Sequence, residues 1–193
     1  MSPYNAETTA EEVASDCQTQ ISNKTILVTG ATPGGLGAEF AIIIAKFRPA
    51  CLILATRNLS KAEETARQIA AAEPSVQTKC IELDLGSIKQ VKVAAEEINS
   101  FDESIDVIVN NAGVMASPYS KTVDGIESQF GINFVGHFLL TNLLLPKMLE
   151  RGVPIRVVNV SSSGYRFGPV RFEHWNFGVS KSGVASISMK TGD

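Results

Sequence analysis

Cysteine is scarce and poorly spaced for a covalent scaffold. Cys17, Cys51 and Cys80 are the only three in 193 residues. An odd count at wide intervals fits neither a disulfide framework nor a zinc site, and it suits a reducing compartment. A basic excess is missing as well. Seventeen Lys and Arg face twenty Asp and Glu, for a formal net charge of −3. Nucleic acid is therefore offered no electrostatic hold. No stretch reaches the roughly 18 uninterrupted apolar residues of a membrane span. The nearest, residues 134–145, is broken by His137, Thr141 and Asn142. The opening MSPYNAETTAEE is polar and acidic, without the basic and apolar regions of a secretory signal. These absences lead to the expectation of a cytoplasmic chain without a membrane span.

What is present is a core. Hydrophobic residues make up 44% of the chain and charged residues 19%, which excludes a disordered chain and suits one domain. Residues 1–24 read as an N-terminal extension. Thr9 and Glu12 have capping-box spacing, and Val13, Cys17 and Ile21 recur every four residues, so a short helix packed on the body is expected there.

From residue 25 onward the pattern alternates. Apolar, β-branched runs at 25–30, 51–55, 79–83, 106–110 and 155–160 read as strands. Between them lie helical patterns at 38–47, 60–72, 87–99 and 125–150, and a further short helix is expected from about Val179. Such alternation implies right-handed crossovers and a parallel sheet covered on both faces. The fold class is α/β: a Rossmann-type doubly wound sheet of five strands in the order 3-2-1-4-5, occupying residues 25–193.

The first strand runs into Thr29-Gly30-Ala31-Thr32-Pro33-Gly34-Gly35-Leu36-Gly37. Glycines here let the backbone turn sharply and approach a pyrophosphate, which the next helix meets with free N–H groups and its positive dipole end. At the end of the second strand stands Thr56-Arg57-Asn58, with Lys61 one turn further on. An NAD site usually places a carboxylate at this point for the ribose 2′-OH. The guanidinium of Arg57 instead suits the 2′-phosphate of NADP, so NADP(H) is favoured over NAD(H).

These residues, with those downstream, resemble the short-chain dehydrogenase/reductase family, over about residue 24 to the C-terminus. The family's loop is Thr-Gly, three residues, Gly-x-Gly. Here four residues separate Gly30 from Gly35-Leu36-Gly37. Asp84-Leu85 matches a position that contacts adenine, and Asn110-Asn111-Ala112-Gly113 matches the Asn-Asn-Ala-Gly motif beside the cofactor. Asn133 matches the helix asparagine that supports the proton relay, and Ser162 matches the catalytic serine, whose hydroxyl hydrogen-bonds the substrate carbonyl. The Ala-Thr-Arg-Asn stretch, the N-terminal helix and 170–177 resemble the retinol-dehydrogenase-like branch and its fungal relatives. The resemblance implies an NADP-dependent oxidoreductase acting on a small carbonyl or alcohol substrate, and it leaves homo-oligomer formation open.

One part of the pattern breaks. The family's Tyr-x-x-x-Lys supplies the general acid/base and a lysine that lowers its pKa and holds the nicotinamide ribose. Lys181 matches that lysine, but Phe177 stands four residues earlier. A phenyl ring has no ionisable hydroxyl, and losing a positioned acid/base costs roughly 10²–10⁴ in rate. Tyr165 lies sixteen residues from Lys181 and does not fit the spacing. Two readings follow: Phe177 substitutes the tyrosine, or a segment is missing between Phe177 and Gly178, which would also displace Lys181. The family normally continues past the fifth strand through two more strands, so a C-terminally short domain and a catalytically impaired NADP-binding remnant form the alternative expectation.

Overall fold

The computed structural model describes residues 3–168 and 174–176. Five strands form one parallel sheet in the order β3-β2-β1-β4-β5: β1 Thr25–Thr29, β2 Cys51–Thr56, β3 Gln77–Glu82, β4 Val107–Asn110 and β5 Arg156–Asn159. β1 pairs with β2 from Thr25 opposite Cys51 to Thr29 opposite Ala55. It pairs with β4 from Ile26 opposite Val107 to Val28 opposite Val109. Every residue of β1 and β2 is buried, as expected of central parallel strands covered on both faces.

The two-residue period of the strands divides the core into two layers. On one face Leu27, Ile53 and Ile81 pack with Val91, Ala94 and Ile98 of α5 (Ile88–Asn99) and with Leu140, Leu144 and Met148 of α7 (His137–Glu150). On the other, Ile26, Val28, Leu52 and Leu54 pack with Ala41 and Ile44 of α3 (Leu36–Ala45) and with Ala62 and Ile69 of α4 (Leu59–Ala72). The N-terminal segment completes this second layer through Ala14 and Ile21.

The expected capping box is formed. The Thr9 N–H donates to Glu12 Oε2 at 2.7 Å and the Glu12 N–H donates to Thr9 Oγ1 at 3.2 Å. The accepted hydrogen bonds hold the Glu12 carboxyl below its usual range. The helix breaks at Cys17, however, into α1 (Ala10–Asp16) and α2 (Gln18–Ile21). Cys17, Cys51 and Cys80 are free, and burial pushes the Cys51 thiol up to about 11, which leaves it unreactive at neutral pH.

Element bounds differ from expectation by one residue at several strands and helices, and by more at four places. β3 begins at Gln77, earlier than its apolar core, because an edge strand needs no continuous apolar run. α3 starts at Leu36 and ends at Ala45, so Leu36 and Gly37 of the glycine loop belong to the helix. The long helix starts at Ser128, as α6 (Ser128–Phe130), and its N–H groups at Gln129 and Phe130 are capped by the Glu127 carboxylate. A π-helical stretch, Gly131–Gly136, then joins α6 to α7. The helix expected from Val179 lies outside the described residues.

By length and composition Ser128–Glu150 is apolar enough to cross a membrane, although no uninterrupted run announced it. In this fold Leu140, Leu144 and Met148 of that helix are buried against the sheet. Ser87 N-caps α5 by accepting from the Gln90 N–H at 3.3 Å and is itself buried. Ser87→Ala is expected to cost about 1 kcal/mol, a fall of roughly 2–4 °C in melting temperature that thermal unfolding would read.

Candidate cofactor and active site

The C-terminal ends of β1, β2 and β4 open into a cleft of about 420 Å³. Thr29, Gly30, Gly35, Leu36, Arg57, Asp84, Leu85, Asn111, Ala112 and Gly113 all line it, so the sheet brings together ten positions singled out in the sequence. Thr32, Ala55, Thr56, Leu83, Val114 and Ile132 complete the wall. Two expected contributors stand off it. Gly37 is buried behind the loop. The side chain of Asn58 is committed to capping α4, accepting from the Ser60 N–H at 3.1 Å and the Ser60 hydroxyl at 2.7 Å. Phe177 and Lys181 lie outside the described residues.

The glycines are there for space. Gly30 has φ +72°, and a Cβ on it would come within 2.9 Å of Ala112 Cα. A Cβ on Gly37 would meet Asn111 Nδ2 at 2.5 Å and the Gly30 carbonyl at 2.7 Å. The first turn of α3 can therefore sit directly on the loop that follows β4. Gly35 stands at the N-cap of α3 with no side-chain cap, leaving the helix end open to an anion.

Thr29 ties the two loops together. Its hydroxyl oxygen accepts from the Asn111 and Ala112 N–H groups, each at 3.0 Å, and the Asn111 amide returns a bond to the Thr29 carbonyl at 2.9 Å. Asn110 extends the network across the sheet, donating to Thr141 Oγ1 at 3.1 Å and Asn159 Oδ1 at 2.9 Å. Asp84 Oδ1 accepts from the Gly86 N–H at 2.8 Å, which closes the turn after β3. On the far wall the Arg57 side chain is exposed and has no ion-pair partner among the described residues, whereas Lys61 is paired with Glu64 at 3.0 Å.

A second cleft of about 270 Å³ adjoins the first, sharing Asn111, Ala112 and Gly113. Asn133 and Ser162 both line it, together with His137, Asn159 and Ser161. The Asn133 amide clamps Val114, accepting from its N–H at 2.9 Å and donating to its carbonyl at 2.8 Å. Ser162 accepts from the Gly164 N–H at 3.1 Å, capping a 3-10 turn at Ser163–Phe167. Its hydroxyl proton is not used in that bond. Gly136 lets the helix approach, since a Cβ there would fall 2.5 Å from the Leu85 carbonyl. The sequence reading missed His137, which registered only as an interruption of an apolar run.

The arrangement is a glycine-lined cradle next to a serine- and asparagine-lined chamber, with the exposed Arg57 guanidinium on its outer wall. Residues 24–193 match the short chain dehydrogenase family model. The chain belongs to the short-chain dehydrogenase/reductase family. An oxidoreductase of Fusarium equiseti, fscI, is 41% identical over 173 residues, covering 88% of this chain and 67% of that protein. Retinol dehydrogenase 13 of Mus musculus is 41% identical over 161 residues, covering 83% of this chain and 47% of the relative. The chain thus spans about half the length of the retinol dehydrogenases it matches. Among solved structures, a Mycobacterium paratuberculosis protein superposes with a TM-score of 0.66 at 37% identity, over 82% of this chain and 53% of that one. An Escherichia coli short-chain dehydrogenase complexed with NADPH superposes at 0.64 and 26% identity, over 83% and 65%.

Proposed function

We propose that this short-chain dehydrogenase binds NADP(H) in the first cleft and is organised for hydride transfer to or from a small carbonyl or alcohol substrate in the second. The observation that carries the reading is the cradle itself. Gly30 and Gly37 are packed so closely on Ala112 and Asn111 that no side chain fits, and this leaves bare backbone facing the open end of α3. A dinucleotide pyrophosphate fits such a surface. Asp84 and Leu85 line the same cleft and would meet the adenine, and Arg57, exposed and unpaired among the described residues, would be available to a 2′-phosphate. NADP-bound neighbours of the same fold support this choice.

When bound, the nicotinamide supplies or accepts the hydride. The chain's own residues do the rest. The Ser162 hydroxyl proton, free of the capping bond, hydrogen-bonds the substrate oxygen and stabilises charge developing there. By the family's motif, Lys181 would hold the nicotinamide ribose. Asn133 fixes the backbone at Val114 beside that chamber and supports proton delivery. The names of the relatives, an oxidoreductase and several retinol dehydrogenases, support the substrate class.

A specific observation favours a second reading, in which the chain binds cofactor but turns over slowly. Phe177 occupies the place four residues before Lys181 where the acid/base belongs. With NADPH and a panel of aldehydes and ketones, turnover about 10²–10⁴ below that of intact relatives is expected, in line with loss of a positioned acid. NADPH oxidation at the relatives' rate would eliminate the impaired reading. Absence of NADP+ binding in a calorimetric titration would eliminate both.

A further inference from the structure

We propose that His137 is a positioning residue: a neutral imidazole, protonated on Nδ1, that locks the Thr29 hydroxyl and so fixes the cofactor-facing loop after β4. The inference rests on the cofactor reading above, and hydrogen-bond accounting leads to it.

A hydroxyl has two acceptor sites and one proton. Both acceptor sites of Thr29 Oγ1 are taken, by the Asn111 and Ala112 N–H groups at 3.0 Å. The remaining proton has two candidate acceptors, His137 Nε2 at 2.9 Å and the Val109 carbonyl at 3.4 Å. The shorter and stronger contact is to the imidazole. Nε2 therefore accepts and carries no proton. The proton sits on Nδ1, which faces the Asn133 carbonyl at 3.1 Å and donates to it. One ring thus joins the glycine-loop strand to the π-helical stretch that carries Asn133.

Charging the ring breaks this arrangement. An imidazolium would direct a third donor at an oxygen with two acceptor sites. Either the Asn111 or the Ala112 N–H must then let go, and both belong to the loop that lines the cofactor cleft. The surroundings oppose the charge. His137 is 5% exposed. Among the described residues, the polar groups that share its chamber from β1, β4 and its loop, the β5 end and its own helix are Thr29, Asn110, Asn111, Asn159, Ser161, Ser162 and Asn133, all uncharged. Burial holds the ring below the usual histidine range, and donation to the Asn133 carbonyl only partly offsets this. The neutral form is favoured in the folded state, so acidification below the ordinary range loosens the loop. Cofactor affinity falls with it.

Two measurements test the proposal on the full chain. The first is nitrogen-15 NMR of the imidazoles of the unmodified protein, where His174 is the only other histidine and H137Q assigns the signals. Nδ1–H with unprotonated Nε2, persisting at pH values where a histidine normally charges, is the expected result. A proton on Nε2, or ordinary titration, overturns the tautomer and the proposal with it. The second is NADP+ affinity from pH 8 to 5. The parent should weaken more steeply with acid than H137Q, which can accept from Thr29 and donate to Asn133 but cannot charge. Titration of the cofactor's own 2′-phosphate is common to both and cancels. H137L, which strands the Thr29 proton, should bind about tenfold more weakly at pH 8, the equivalent of one lost hydrogen bond to a buried group. Superimposable profiles for parent, H137Q and H137L would sink the part assigned to His137 alone. A parent that binds no NADP+ at any pH would instead sink the cofactor reading.

Discussion

Gly37→Ala is expected to lower NADP+ affinity about a hundredfold and the melting temperature by roughly 4–8 °C, the equivalent of about 2 kcal/mol at this chain length. Two opposing effects meet at this position. Alanine is the better helix former, by up to about 1 kcal/mol in a helix interior, but Gly37 is the second residue of α3, where that gain is smaller. Against it stands the contact of the new methyl with Asn111 Nδ2 at 2.5 Å and the Gly30 carbonyl at 2.7 Å. The second of these is backbone and cannot swing aside. Overpacking of this kind costs about 1–3 kcal/mol, and moving Asn111 also loosens its bond to the Thr29 carbonyl. Clash outweighs propensity. Because both displaced groups line or support the cleft, binding suffers more than folding. Calorimetric titration with NADP+ and a thermal melt would check the two effects separately. Unchanged affinity in a destabilised protein would mean that the loop contact does not shape the site. Gly34→Ala is an instructive companion. Its Cβ would meet nothing within 4 Å, but its φ is +76°, so it acts through backbone strain rather than contact.

The contrast between these glycines shows how far the sequence could be read. Chain alternation and crossover handedness implied a parallel doubly wound sheet, and the order 3-2-1-4-5 came with the Rossmann-type reading. The site's floor was legible for a related reason. Residues after successive parallel strands converge at one sheet edge, so Gly30, Arg57, Asp84 and Asn111 had to be neighbours once the order was set. Contacts whose cause is three-dimensional were not legible. Asn58 looked like a cofactor contact and Ser162 like a catalytic group, yet Asn58 caps helix α4 and Ser162 caps a 3-10 turn, since capping and catalysis use the same residue types. The π-helical stretch at Gly131–Gly136 leaves no periodicity signal of its own. It arises where Gly136 must approach the Leu85 carbonyl. His137 was hidden most completely. A lone histidine in an apolar helix has no spacing that marks it, and its partner Thr29 is 108 residues away.

On the proposed NADP(H) reading, reversing the charge at Arg57 is expected to shift binding from NADP+ toward NAD+. Arg57→Glu should weaken NADP+ binding about a hundredfold, while NAD+ binding holds or improves, as carboxylate replaces guanidinium at the ribose edge. The magnitude follows from two additive effects. A hydrogen bond between charged partners contributes about 1.5–3 kcal/mol, and a glutamate adds repulsion to a phosphate carrying nearly two negative charges. Both are reduced by solvent, since Arg57 is exposed and surface ion pairs are screened. The hundredfold figure is therefore set well below the sum of the undiscounted effects. Arg57→Ala separates them, because it removes attraction without adding repulsion and should cost nearer tenfold. Salt supplies an independent check. At high ionic strength the gap between parent and Arg57→Glu for NADP+ should narrow, whereas NAD+ affinities should barely move. Lys61 is a weaker candidate for the same task, because its ammonium is already engaged by Glu64. If Arg57→Glu leaves the ratio of NADP+ to NAD+ affinity unchanged, the 2′-phosphate is held elsewhere or not at all.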